Sequence, residues 1–250
     1  MRELGIRPRD RLGQHFLVDP RGVHLFLSRL PYEEALEIGP GLGSLTYYAS
    51  QKLPRVVAVE LDRRLCTALA LSSPPNVQLV NAEGLSLLLS ARLGLVFSNT
   101  PYNLSSAIVA AGARNNSVRK MLLGVQKEVA ERMLAREGEE QYGRLTLLVK
   151  RYFSARLVGT MERDMFYPMP KVRGAVVELE RRREWERGDE TFEEVTRCLF
   201  SGRNKRAGKM VKACIGKEVE LGDKRVEELT PEEVERVVQA YRDSGGGDEP

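Results

Sequence analysis

Apolar and polar positions change texture along the chain. From residue 35 to 126, short runs of Val, Leu and Ile alternate with longer mixed segments: ALEI (35–38), VVAVEL (56–61), VQLV (77–80), LGLVFS (93–98) and MLLGVQ (121–126). Continuous apolar runs of this length predict strands buried on both faces of a parallel sheet, since half-exposed strands alternate instead. The intervening segments 44–53, 62–72 and 105–114 are long enough for crossover helices. Strand, helix and strand repeated in this way predict an α/β fold with helices on both faces of the sheet.

Further on, 128–137 reads as another helix, 145–153 is an apolar run, and AVVELE (175–180) alternates as an antiparallel edge or hairpin strand does. Prolines punctuate the loop Phe166-Tyr167-Pro168-Met169-Pro170-Lys171 between them. After Glu180 the residues Arg181, Arg182 and Arg183 open a charged stretch with Gly188, a linker, and three helical segments follow at 190–200, 205–215 and 231–241. The last begins with Thr230 as N-cap, Pro231 at the first helical position and Glu233 at the third. The final SGGGDEP is expected to fray. The pattern predicts two domains, 1–180 and 181–250, the second small and helical.

Composition narrows the class. A chain of 250 residues can bury a core without staples. No apolar run reaches the roughly 18 residues of a membrane helix, and the charged N-terminus MRELGIRPRDRLGQ lacks the apolar stretch of a secretory signal. Cys66, Cys198 and Cys214 are odd in number, far apart and without a CxxC pair. That argues against a disulfide framework or a zinc site and fits a reducing cytoplasm. Having only His15 and His24 also argues against a multi-histidine metal centre. A net charge of +4 and a pI near 9.0 hint at a polyanionic partner.

The candidate chemistry begins at Glu37-Ile38-Gly39-Pro40-Gly41-Leu42-Gly43, which follows the first of these strands and opens a helix. Glycines there allow positive φ and a close approach of ligand to backbone. The spacing differs from the dinucleotide G-x-G-x-x-G, with Ser44 at the third glycine's place, and Pro40 removes an N–H from any phosphate cradle. The loop therefore suits a ligand without phosphates. Glu60, at the end of the second strand, stands where a carboxylate accepts bonds from a ribose diol, and Glu83 could border an adenine. Together they point to S-adenosylmethionine.

Asn99-Thr100-Pro101-Tyr102 ends the fourth strand at the same rim. An exocyclic adenine amine is a poor nucleophile because its lone pair is delocalised. The Asn99 amide oxygen and the Pro101 carbonyl would accept its two N–H bonds, favour a pyramidal nitrogen and aim its lone pair at a methyl donor. Tyr102 would stack on a base removed from its helix.

These segments make the chain resemble the KsgA-type rRNA adenine dimethyltransferases, relatives of the Erm-type rRNA methylases. The shared stretches are Gly13-Gln14-His15-Phe16-Leu17, the glycine loop, Val59-Glu60-Leu61-Asp62, Asn99 to Asn103, Gln126 to Arg132, Tyr142-Gly143-Arg144-Leu145 and Phe166 to Val172, in order across roughly residues 12 to 180. The resemblance implies a Rossmann-like methyltransferase sheet of seven strands, the last antiparallel, with a small helical C-terminal domain. It implies dimethylation at N6 of two adjacent adenosines near the 3′ end of small-subunit rRNA, with the rRNA or the immature small subunit as partner. It also implies a donor site of His15, Leu17, Gly39, Gly41, Gly43, Glu60, Glu83 and Asn99, and a target site of Asn99, Pro101 and Tyr102 with Phe166 on the base's other face. This chain has His15 where the family usually has Asn, Glu83 for Asp and Thr100 for Leu or Ile.

Residues 198–217 contain six Lys or Arg and no Asp or Glu. Arg203, Lys205, Arg206, Lys209 and Lys212 are spaced so that several share a helix face, and such a patch would neutralise RNA phosphates. The family is basic here too, though this chain departs at Asn204. The expectation is a cytoplasmic, monomeric enzyme of ribosome biogenesis, without metal or membrane. Rival readings are a large-subunit methylase of the antibiotic-resistance type, an assembly factor acting mainly by binding RNA, and a small-molecule methyltransferase.

Overall fold

A computed structural model of the chain describes residues 14–101 and 103–245. Gly13, Tyr102 and residues 246–250 of the expected fraying tail lie outside the described residues. In chain order the elements are β1 (Phe16–Leu17), α1 (Pro20–Leu27), β2 (Ala35–Ile38), α2 (Ser44–Lys52), β3 (Val56–Val59), α3 (Arg63–Ala70), β4 (Val77–Val80), α4 (Gly84–Ser90), β5 (Leu95–Asn99) and α5 (Ser105–Arg114). They continue with β6 (Lys120–Gln126), α6 (Lys127–Leu134), α7 (Arg144–Tyr152), β7 (Phe153–Met161), β8 (Phe166–Tyr167), β9 (Gly174–Arg181), α8 (Glu190–Phe200), α9 (Ala207–Ile215) and α10 (Pro231–Arg242).

Seven strands form one sheet in the order β4-β3-β2-β5-β6-β9-β7. The first five run parallel, and β9, last in the chain, lies antiparallel to both neighbours. The apolar runs at 35–38, 56–61, 77–80, 93–98 and 121–126 thus become the parallel strands, with β2 and β5 almost wholly buried. Because β2 leaves the sheet between β3 and β5, loops after these three strands open onto a common crevice at their carboxyl ends. The short ribbon β1–β8 pairs separately, Phe16 opposite Tyr167 and Leu17 opposite Phe166.

The chain divides into two compact units. One comprises the described residues up to Ala130 with Phe153–Arg182; the other comprises Glu131–Tyr152 with the described residues from Arg183 onward. A division at 180 and 181 makes no room for the excursion of Glu131–Tyr152. Its cause is long-range packing: Ala135, Tyr142 and Leu147 join Phe192, Leu199, Val211 and Val238 in one apolar cluster, and the Tyr142 hydroxyl donates to the Leu229 carbonyl at 2.7 Å. In the second unit α10 is closed by the expected reciprocal cap, Glu233 N–H to Thr230 Oγ1 (3.2 Å) and Thr230 N–H to Glu233 Oε2 (2.9 Å).

The expectation of no disulfide is overturned, and with it the cysteine-based argument for a reducing compartment. Cys198 of α8 and Cys214 of α9 form a disulfide, their Cα atoms 5.8 Å apart, and Cys66 remains a free thiol. Three cysteines are consistent with one bridge and one thiol, and packing of α8 on α9 brings residues 16 apart in sequence within bridging range.

Candidate active site

The glycine turn is left-handed at Gly39, Gly41 and Gly43, with φ of 69°, 61° and 84°. Two of these positions also lack space for a side chain: a Cβ on Gly41 would lie 2.9 Å from the Phe16 ring, and one on Gly43 2.3 Å from Leu69. The turn aims the Gly41 N–H at Glu60 Oε2 (3.0 Å), and the Asp62 N–H reaches Oε1 (2.8 Å). Glu60 is buried, and burial raises its pKa above the ordinary carboxylate value. Glu83 caps α4, accepting from Leu85 N (3.1 Å), Ser86 N (2.7 Å) and Ser86 Oγ (2.7 Å), and these bonds lower its pKa.

At the end of β5, Ser98 Oγ donates to the Ile38 carbonyl at 2.7 Å, tying two neighbouring strand ends together. Asn99 Nδ2 donates to the His15 carbonyl at 3.1 Å, which leaves Oδ1 as the other end of the carboxamide. Asn99 faces Gly124 across the strands, where a Cβ would come within 3.0 Å of Oδ1. The Thr100 N–H donates to the Gly124 carbonyl (2.9 Å), and the Pro101 carbonyl accepts from Leu104 N–H (2.9 Å), which leaves that oxygen one further lone pair. His15 Nδ1 donates to the Pro168 carbonyl at 2.9 Å, fastening the proline loop over the rim.

One cavity, lined wholly by the first unit, brings together His15, Leu17, Gly39, Gly41, Glu60, Glu83, Asn99, Pro101 and Phe166. Gly43 is not in its wall; it opens α2. Glu37, outside the expected donor and target residues, also lines the cavity; burial pushes its carboxyl up to about 8, and its Oε2 has no hydrogen-bond partner. Its signal was present, a carboxylate inside an otherwise apolar strand.

Residues 5–242 match the family described as ribosomal RNA adenine dimethylase. The chain is 49% identical over 203 residues to the probable ribosomal RNA small subunit methyltransferase A of Aeropyrum pernix, covering 79% of this chain and 73% of that protein. It is 34% identical over 257 residues to the protein of the same description from Thermococcus gammatolerans, covering 96% and 91%. Among solved structures it resembles a dimethyladenosine transferase from Plasmodium falciparum in fold (TM-score 0.79, 21% identity, 92% and 98% covered). It also resembles the 23S rRNA methyltransferase ErmE (TM-score 0.63, 26% identity, 91% and 99% covered).

The chain belongs to the ribosomal RNA adenine dimethylase family. It is an enzyme, a methyltransferase dependent on S-adenosylmethionine. The cavity of this dimethylase fits that donor. Two buried polar atoms at its wall, Glu37 Oε2 and Thr100 Oγ1, lack partners, and such groups cost about 1–3 kcal/mol unless something bonds them. Leu61, also in the wall, is 59% exposed and offers an apolar face.

The five basic residues expected to contact RNA lie in the second unit of the dimethylase, and their arrangement differs from expectation. Helix α9 begins only at Ala207, because Arg206 is extended and Ala207 N–H donates to the Lys224 carbonyl at 2.7 Å. Arg203, Lys205 and Arg206 therefore precede the helix and do not share its face with Lys209 and Lys212. Acids outside the 198–217 window also pair with three of the five: Glu227 with Arg203 (3.0 Å), Glu218 with Lys212 (2.7 Å) and Asp223 with Arg206. Lys205 and Lys209 are exposed with no acidic partner among the described residues.

Proposed function

We propose that the enzyme dimethylates N6 of two adjacent adenosines near the 3′ end of small-subunit rRNA, in the cytoplasm during ribosome assembly. The observation that carries this reading is the Asn99 carboxamide, fixed at its nitrogen by the His15 carbonyl in the cavity that also holds Glu60. Two relatives described as acting on small-subunit rRNA, at 49% and 34% identity, support that choice of subunit over the large one.

S-adenosylmethionine, when bound, supplies a methyl group activated by its sulfonium. Glu60 would hold the ribose diol of that donor, with Glu83, Leu61 and the glycine turn around its adenosine and His15 and Leu17 toward the other end. Asn99 Oδ1 and the second lone pair of the Pro101 carbonyl would accept the two N–H bonds of the target amine. These bonds strengthen as the nitrogen gains positive charge, so they favour the transition state over the ground state. No strong base is needed, because the nitrogen sheds a proton readily once charged. Phe166 would cover one face of the base and Tyr102 the other. Arg203, Lys205, Arg206, Lys209 and Lys212 would take phosphates and give salt-sensitive affinity without sequence preference.

The described lining of the cavity lies within one compact unit of the chain, and the proposed enzyme acts as a monomer. The described residues hold no cluster of His, Cys, Asp or Glu suited to a metal, and no helix among them is long and apolar enough to cross a membrane. The test is incubation with the methyl donor and each immature ribosomal subunit, followed by mass spectrometry of the rRNA nucleosides. The expected product is N6,N6-dimethyladenosine in the small subunit; methylation confined to the large subunit overturns the reading.

A further inference from the structure

The ribbon β1–β8 and the loop after it bury one set of apolar side chains and display another. Phe16, Leu17 and Phe166 are buried, whereas Val18 (53%), Tyr167 (53%), Met169 (57%) and Val172 (44%) are exposed. Apolar side chains left in water on a mobile loop would be unremarkable, but this segment is fastened along its length. The Pro168 carbonyl accepts from His15 Nδ1 (2.9 Å), Pro170 from Arg163 Nε (2.8 Å), Arg173 from Lys127 N–H (3.0 Å), and Met165 from Val18 N–H (2.9 Å). A surface held this way has already lost the conformational freedom that binding would otherwise remove.

Charge selects among partners. The neighbouring acids Glu162 and Asp164 are paired with Arg173 (3.2 Å) and Arg21 (3.6 Å), while Lys171 is exposed with no carboxylate partner among the described residues. The face thus offers an aromatic ring, apolar contacts and an uncompensated cation, the combination that binds single-stranded nucleic acid. Continuity with the cavity points the same way. Phe166 lines the cavity, and successive residues of a strand point to opposite faces, so Tyr167 stands on the outer side of the same ribbon. A target adenosine inserted into the cavity would have its flanking nucleotides outside it, and the ribbon that contributes Phe16, Leu17 and Phe166 to the wall is a surface next to that cavity.

We propose that this outer face is the platform for the unpaired nucleotide next to the target adenosine, with Tyr167 stacking on its base and Lys171 on its phosphate. The proposal rests on the function given above and adds to it a site for the flanking nucleotide, separate from the pocket for the reacting base.

The test compares the wild type with Tyr167→Ala and Tyr167→Phe, using immature small subunits as substrate. A protein-free fragment of the 3′ end of the small-subunit rRNA, with 2-aminopurine beside the target, serves as a binding probe. Stacking is worth enough to raise the KM for RNA about tenfold in Tyr167→Ala, with S-adenosylmethionine affinity by calorimetry unchanged and Tyr167→Phe close to wild type. The 2-aminopurine fluorescence should be quenched by the wild type and Tyr167→Phe but not by Tyr167→Ala. An unchanged KM in Tyr167→Ala, equal losses in both variants, or fluorescence indifferent to residue 167 overturns the platform. A KM effect on subunits without any effect on the protein-free fragment assigns the face to a ribosomal protein and also overturns it. If the wild type methylates no small-subunit rRNA, the proposed function falls as well; an active wild type with indifferent Tyr167 variants removes the platform alone.

Discussion

The cavity rim in the first unit and the basic stretch in the second both gather polar side chains near helix starts, but they hold them by opposite means. At the rim the backbone does the holding: Gly41 and Asp62 N–H groups grip Glu60, Leu85 and Ser86 grip Glu83, and the His15 carbonyl grips Asn99. In the stretch, flexible side chains pair with flexible side chains. Arg206 and Asp223 are 73% and 71% exposed, Lys212 and Glu218 66% and 79%. Exposed pairs of this kind contribute about 0–1 kcal/mol, so a phosphate can replace the carboxylate at little cost. The rim is therefore fixed in one geometry, whereas the stretch, under the proposed function, would exchange its carboxylates for phosphates.

The largest effect is expected at the rim. Asn99→Ala should lower methyl transfer by a factor of about 10²–10³ while leaving donor affinity within a few-fold, as single-turnover kinetics and calorimetry would show. Undiminished turnover would remove the distinction between the two regions. Next in size is the disulfide that joins α8 and α9. Its reduction should cost up to about 3 kcal/mol of stability, judged from the length of the closed loop, and leave donor affinity untouched; thermal melts with and without reductant check this.

Glu60→Gln should weaken donor binding about tenfold, the worth of a hydrogen bond to a charged acceptor. Because burial raises the Glu60 pKa, the wild type should begin to lose donor affinity on acidification above the ordinary carboxylate range of about 4.5. Glu37 sets a second pH dependence. Its folded pKa of about 8 exceeds the unfolded 4.5, so the folded state binds the extra proton and stability falls as pH rises through that window. Glu37→Gln should flatten the fall in pH-dependent melts.

The smallest effects belong to the basic stretch. Removing Lys209 should lower the salt dependence of RNA binding by about one unit of slope, and Asp223→Asn with Glu218→Gln should raise RNA affinity by freeing Arg206 and Lys212. Weaker binding in that double variant would make the pairs structural and not exchangeable.

What was legible in the sequence follows the same division. The parallel strands were visible because both faces of β2 and β5 are buried, so apolar residues dominate them, with Glu37 and the terminal Ser98 and Asn99 as the polar exceptions. The rim was visible because its groups hang on the ends of successive strands, where spacing along the chain translates into place. β7 was not, because its interior residues are irregularly exposed or half-buried and FSARLVGTM carries no clean period. The same limit hid the excursion of α7, the Cys198–Cys214 bridge and the acids facing the cations, since each depends on segments brought together from outside any local window. Glu83 shows a finer limit: its place at a strand end suggests an adenine border, while its carboxylate also caps the helix it precedes.

A crystal structure with S-adenosylmethionine bound would decide whether donor and target share one crevice. The ribose hydroxyls should lie on Glu60 and the sulfonium end should point toward Asn99, with the Asn99 nitrogen still on the His15 carbonyl. A donor lodged outside this cavity, or an Asn99 carboxamide turned out of it, would contradict the mechanism.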